Sequence, residues 1–190
     1  MKRKLACPTI IVNPIIVLAF LFSTVSISLA LTPPETLSPG ATLPSAILIG
    51  SEGNPVDLES LKGRVKILSM VPKLNTPVCD EQTHRFSEQN EGLDQFLDIV
   101  TISTNPSNVQ TRFSEKANIH NMTFLSDFPA FDFGEKTGLL LPERGILHRA
   151  VIVADAENVI TYVEMVPLRQ LPHFEGAFEA ARQILKRQRP

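Results

Sequence analysis

Cys79 closes the run Pro72-Lys73-Leu74-Asn75-Thr76-Pro77-Val78-Cys79, and its neighbours are of the types that make a thiol reactive. An apolar stretch, Val65 to Val71, precedes the run and reads as a buried strand; the residues after it read as a helix. Pro72 ends the strand, because proline cannot extend a sheet ladder. Thr76 is a good N-cap, with a hydroxyl able to accept from a free N–H of the first turn. Pro77 then takes the first helical position, where its missing N–H costs nothing and its fixed φ suits the helix. Cys79 falls third, beside unpaired N–H groups and the positive end of the helix dipole. A thiol so placed, with a cation nearby, ionises more readily than a free one, and the thiolate is the nucleophilic form. The bland alternative is a small buried hydrophobe, the common fate of an unpaired cysteine.

The elements that must carry this thiol follow an amino-terminal segment of a different kind. Lys2, Arg3 and Lys4 form a basic start, and no charge follows until Glu35. Ile15 to Leu31 is uncharged, and Ser28-Leu29-Ala30 offers small residues at a cleavage site. This is the layout of a secretory signal peptide, so residues 1–30 are expected to be removed and the protein exported, to the periplasm of a bacterial cell. The alternative is an uncleaved anchor facing the periplasm, which the apolar length nearly permits; Ser23, Ser26 and Ser28 weaken it as a span. Cys7, the chain's other cysteine, precedes the apolar core and leaves with the signal. The remaining 160 residues hold 15 basic and 20 acidic side chains, a net charge of −5, which gives no general attraction to nucleic acid or anionic lipid.

That length fits one domain with a real core. Residues 31–40, with Pro33, Pro34 and Pro39, read as an extended linker, and 41–190 as the domain. Ala46–Ile49 and Val56–Leu58 flank Gly53-Asn54-Pro55, so an N-terminal β-hairpin is expected. The helix after Thr76 carries Val78, Phe86 and Leu93. Asp98–Ser103 is a second buried strand, broken by Asn105-Pro106, and Val109, Phe113 and Ala117 share one face of a short helix. A strand at Met122–Leu125 and a short helix near Phe133–Gly138 follow. Arg149–Ala154 and Val159–Val166 are strands joined by a turn. The last helix stripes Phe174, Ala177, Phe178, Ala181, Ile184 and Leu185. Alternating strands and helices argue an α/β sheet covered on both faces.

Pro-x-x-x-Thr-x-x-Cys resembles the peroxidatic motif of peroxiredoxins. The fuller string Asn75-Thr76-Pro77-Val78-Cys79, with Gln82-Thr83 and Arg85-Phe86, is similar to the thiol peroxidase subgroup. The likeness continues through Thr123–Asp127, Phe133–Gly138 and Arg149–Val153, and covers about residues 36–187. It implies a thioredoxin-like fold, a central mixed sheet flanked by helices, and a thiol-dependent peroxidase acting on hydrogen peroxide and organic hydroperoxides without a cofactor or metal. It implies that Thr76 bonds sulfur and peroxide, that Pro72 shields the site, and that Arg149 aims its guanidinium at the sulfur. Read alone, Arg149 is an ordinary strand-end charge. Gln82 and Arg85, one and nearly two turns beyond Cys79, either support the site or are solvated helix positions. The resemblance further suggests a homodimer packed near the site.

One departure matters. The subgroup usually carries a second cysteine in an Arg-Phe-Cys context, and here the stretch is Arg112-Phe113-Ser114. Serine cannot form a disulfide, so the sulfenic acid on Cys79 is expected to be reduced by an external thiol, of the thioredoxin, glutaredoxin or glutathione type. The alternative is an exported redox sensor or binding module with little turnover. His84, His120, His148 and His173 show no metal-ligand spacing, and only His84 is near Cys79 in sequence. Asn121-Met122-Thr123 matches a glycosylation sequon of the kind common by chance, and no C-x-x-C, phosphate loop or dinucleotide fingerprint is present.

Overall fold

The computed structural model describes residues 31–188; the signal-peptide reading of residues 1–30 lies outside them. Among the described residues, no helix is long and apolar enough to cross a membrane.

A hairpin of β1 (Ile47–Ile49) and β2 (Pro55–Asp57) comes first, followed by β3 (Lys66–Met70), α1 (Pro77–Glu88), β4 (Asp98–Ser103), α2 (Ser107–Ala117) and β5 (Thr123–Ser126). Next are α3 (Asp132–Thr137), the small hairpin β6 (Leu140–Leu141) and β7 (Ile146–Leu147), then β8 (Arg149–Ala154), β9 (Ile160–Val166) and α4 (Phe174–Gln188). Seven strands form one mixed sheet in the order β2-β1-β5-β4-β3-β8-β9. β3, β4 and β5 are parallel neighbours, and β8 and β9 add antiparallel on the other side of β3. Every residue of β3 is buried, as a central strand covered on both faces must be.

Strand alternation sorts the core into two layers. Leu68, Met70, Val100, Ile102, Ala150 and Ile152 point to the face covered by α3 and the N-terminal segment. Val65, Ile67, Ile99, Val151 and Val153 point to the face covered by α1 and α4, where Phe86 stacks 4.9 Å from Phe174 and 5.6 Å from Phe178. Such ring pairs add about 0.5–1.5 kcal/mol each beyond area burial. α2 covers the same face beside α1, with Phe113 against Phe124 of β5.

Three sequence expectations change here. Residues 31–40 are not a free extended linker: Glu35–Leu37 form a 3-10 turn, Leu37 is fully buried in the core, and the Thr36 hydroxyl donates to the Thr137 carbonyl. A proline-rich start reads as linker, but one apolar side chain with a pocket to fill overrides that composition. Leu93 lies outside α1, which ends at Glu88; the left-handed pair Glu91 (φ 53°) and Gly92 (φ 79°) separates it from a 3-10 turn that Leu93 begins. The β6–β7 hairpin was not expected, since strands of two residues carry no periodicity to read.

Candidate active site

The ladder of β3 runs one residue past the strand, with the Val71 N–H donating to the Ile102 carbonyl, and then Pro72 ends it. Pro72 is buried. The following loop is pinned by the Leu74 N–H, which donates to Asn105 Oδ1 at 3.0 Å across from the end of β4. Thr76 is the N-cap of α1 in extended conformation, and Pro77 takes the first helical position. The expected cap bond is not formed: the Thr76 hydroxyl instead donates back to the Lys73 carbonyl at 2.9 Å, closing the loop on itself. No bond joins Thr76 to the Cys79 sulfur in this structure; the hydroxyl oxygen keeps its lone pairs.

Cys79 is 1% exposed, packed with Val71, Leu74 and Phe113. Its sulfur is not merely an apolar filler. Arg149, the first residue of β8, shares a sheet face with Val151 and Val153, the face covered by α1. The antiparallel register pairs Ala150 with Met70, so Arg149 projects just past the end of β3, beneath the start of α1. Its Nη2 donates to Cys79 Sγ at 3.2 Å and to the Leu168 carbonyl at 2.8 Å, and its Nε donates to the same carbonyl at 3.3 Å. Its Nη1 donates to Gln82 Oε1. Arg149 is 1% exposed and has the largest fully buried side chain among the described residues. A buried cation is costly unless its N–H groups are paired, and four of these donations fix its plane.

Gln82 completes the support. It is fully buried, and its Nε2 donates to Ser69 Oγ on β3 at 2.8 Å. The amide thus ties β3, α1 and β8 together beside the sulfur. Arg85 goes elsewhere: its guanidinium carbon lies 4.1 Å over the Phe174 ring and its Nε donates to Gln89. His84 faces outward on α1, with Nδ1 3.0 Å from Glu88. Ser114 is half-buried on α2, its hydroxyl donating to the Thr111 carbonyl of its own helix. Among the described residues no three His, Cys, Asp or Glu side chains converge as metal ligands would.

A hollow of about 520 Å³ opens onto Cys79, lined by Pro72, Thr76, Ile146, Arg149 and Leu168 among others. A larger groove, about 800 Å³, runs between α1 and α2 past His84, Arg112 and Lys116; it shares Thr76 and Pro77 with the first but does not reach the sulfur. A guanidinium N–H aimed at sulfur stabilises negative charge there, and a hollow beside both can hold a reactant against them. The mixed sheet flanked by helices, with a cysteine at a helix N-terminus beside a buried guanidinium, is the architecture of a thioredoxin-fold protein.

The chain matches the Redoxin family model over residues 38–179. It is 35% identical over 147 residues to a thiol peroxidase of Halalkalibacterium halodurans, covering 77% of this chain and 88% of that one. A thiol peroxidase of Streptococcus pneumoniae is 38% identical over 128 residues, covering 67% and 78%. A peroxiredoxin-like protein of Aquifex aeolicus superposes with a TM-score of 0.72 at 28% identity, over 82% of this chain and 92% of the other. The chain belongs to the Redoxin family, and within it is a peroxiredoxin of the thiol peroxidase type, an enzyme with peroxidase activity.

Proposed function

We propose that Cys79 is the peroxidatic residue and that the enzyme reduces hydrogen peroxide and organic hydroperoxides. The observation that carries this is the 3.2 Å bond from Arg149 Nη2 to Cys79 Sγ inside a hollow open to small molecules. The thiolate attacks one peroxide oxygen and the O–O bond breaks. The other oxygen leaves as hydroxide or alkoxide and takes a proton. The products are Cys79 sulfenic acid and water or alcohol. Arg149 stabilises the sulfur anion and then the charge gathering on the departing oxygen. Thr76, whose proton is committed to Lys73, accepts a bond from the peroxide hydrogen and orients it. Pro72 covers the sulfur from the strand side. Gln82 acts through Arg149 as a positioning residue. Arg85 has no such path; its part is structural, over Phe174.

Residues 31–190 contain no other cysteine, so recycling falls to an external thiol, of glutathione, glutaredoxin or thioredoxin type. The protein is exported after loss of residues 1–30 and works as a homodimer. An intact mass beginning at Leu31 in the exported fraction would support the first point; retention of residues 1–30 would replace it with an anchored form.

The full chain carrying Cys7→Ser, reduced and mixed rapidly with hydrogen peroxide, tests the chemistry. Stoichiometric peroxide loss that vanishes in the added Cys79→Ser variant is expected. Reaction no faster than a free thiol would sink the assignment. A rapid oxidation that no thiol reverses would instead favour the sensor reading, which the missing second cysteine supports.

A further inference from the structure

The hollow beside Cys79 is lined by four cations, Lys73, Arg144, Arg149 and Arg169, and by no carboxylate. The Arg149 guanidinium is committed to Gln82, Leu168 and the sulfur. The other three side chains are exposed and, among the described residues, make no hydrogen bond or ion pair. Some other cations are paired with carboxylates, Arg64 with Asp98, Lys136 with Asp132, and Arg182 with Glu91 and Glu175, and what sets the rim apart is that three unpaired cations meet there. The three come from separate parts of the chain: the loop before α1, the β6–β7 turn, and the segment after β9. The fold brings them to one rim, where their mutual repulsion favours an anion.

We propose that the thiol that reduces oxidised Cys79 is a small molecule bearing a carboxylate, bound by Lys73, Arg144 and Arg169. This rests on the peroxidase reading above. A carboxylate pairs well with arginine's planar fork. About 520 Å³ lies in the range of small-ligand sites, and a sulfur 1% exposed is reached more easily by a small thiol than by one fixed on a protein surface. Hydrogen peroxide, being neutral, has no use for such a grip, whereas a carboxylate-bearing thiol does. In the first step the reductant's thiolate attacks the sulfur of the sulfenic acid. An S–S bond forms, the S–O bond breaks, and the oxygen leaves as water with two protons. A second thiolate then attacks the sulfur of the bound reductant, releasing the small disulfide and the Cys79 thiolate. Two thiols supply the two electrons.

Sequential mixing tests this with the full chain carrying Cys7→Ser. One equivalent of hydrogen peroxide oxidises the protein. Anionic 3-mercaptopropionate, neutral 2-mercaptoethanol or cationic cysteamine is then added, and rates are compared per thiolate to remove differences in thiol acidity. The expected result is a preference of about 10-fold or more for the anionic over the neutral probe at low salt, shrinking as salt is added. Arg169→Glu, and separately Arg144→Glu, should collapse that preference and shift it toward cysteamine. Equal rates for the three probes, or a preference that both charge reversals leave intact, would overturn the proposal. So would reduction by a dithiol protein alone. A failure of Cys79 to oxidise in the first mix would instead strike the peroxidase reading, and is seen before any thiol is added.

Discussion

Gln82 and Arg149 are joined by a hydrogen bond that ties the second turn of α1 to the first residue of β8. The same amide is anchored on Ser69 of the central strand, so the guanidinium is aimed by a side chain that has no freedom of its own. Gln82→Ala should therefore leave the thiol in place and the cation poorly held. The expected outcome is a roughly 10-fold slower oxidation of Cys79, with a stability loss of about 1–3 kcal/mol from the buried Arg149 donor and Ser69 acceptor left unpaired. Rapid mixing with peroxide and urea unfolding measure the two. Gln82→Glu, which keeps the acceptor, should recover much of the rate; failure to do so would mean the residue serves packing alone.

Arg149 itself should be far more sensitive. Arg149→Lys keeps a charge but cannot bond Gln82, Leu168 and the sulfur together. The peroxide step should slow by about 10²–10³, the usual cost of losing one donor to a developing anion. Arg149→Met should lose at least as much rate, and folding should weaken as the Leu168 carbonyl and Gln82 Oε1 lose their donor. Oxidation of either variant at the parent rate would remove Arg149 from the mechanism.

Thr76 separates the two uses of a hydroxyl. Its proton goes to the Lys73 carbonyl and its oxygen is open. Thr76→Ser should retain peroxide reactivity within a few-fold. Thr76→Val, nearly the same in shape, should lose about 10-fold or more. Equal rates for the two variants would show that shape, not the acceptor, matters there.

Asp127 gives a pH signature remote from the sulfur. Burial pushes its carboxyl from 3.8 up to about 6, against the opposing pull of N–H bonds from Gly134 at 2.8 Å and Phe133 at 2.9 Å. The folded state therefore keeps this proton after the unfolded chain has lost it. The stability this contributes is present below pH 4 and is lost as pH rises toward 6, by about 3 kcal/mol at most. Asp127→Asn cannot ionise. The stability of the parent relative to this variant should be greater at pH 4.5 than at pH 7.5 in matched urea titrations. A difference independent of pH would contradict the shifted carboxyl.

Much of the scaffold was legible. Asp98–Ser103, built on Ile99, Val100 and Ile102, and Arg149–Ala154, built on Ala150 to Ala154, carry the apolar residues a doubly covered sheet requires, and both are strands with those bounds. Pro77 and Cys79 fall at the first and third helical positions because proline fixes the start. What the sequence could not separate was Gln82 from Arg85. Both follow Cys79 on one helix, and the choice between them is made by Arg149, which arrives 67 residues after Gln82. The hydroxyl of Thr76 departs from the expected cap because a competing acceptor, three residues back, depends on how the loop closes. Lys66 interrupts an apolar strand, yet it is fully buried, donating to the Asp155 carbonyl and to Asn158 Oδ1 about ninety residues onward. Nothing in the local pattern announces partners so distant. The rim of Lys73, Arg144 and Arg169 was equally invisible, being drawn from three unrelated loops.

Cys79 and Arg149 are 70 residues apart, and the guanidinium reaches the sulfur only after β8 has docked against β3. A chain still emerging from the ribosome, or one in which the β8–β9 edge has peeled away, presents Cys79 without that donor. On the peroxidase reading proposed above, whatever the arginine lends that sulfur is withheld until β8 is docked, so reactivity toward peroxide doubles as a proofreading mark for the far half of the molecule.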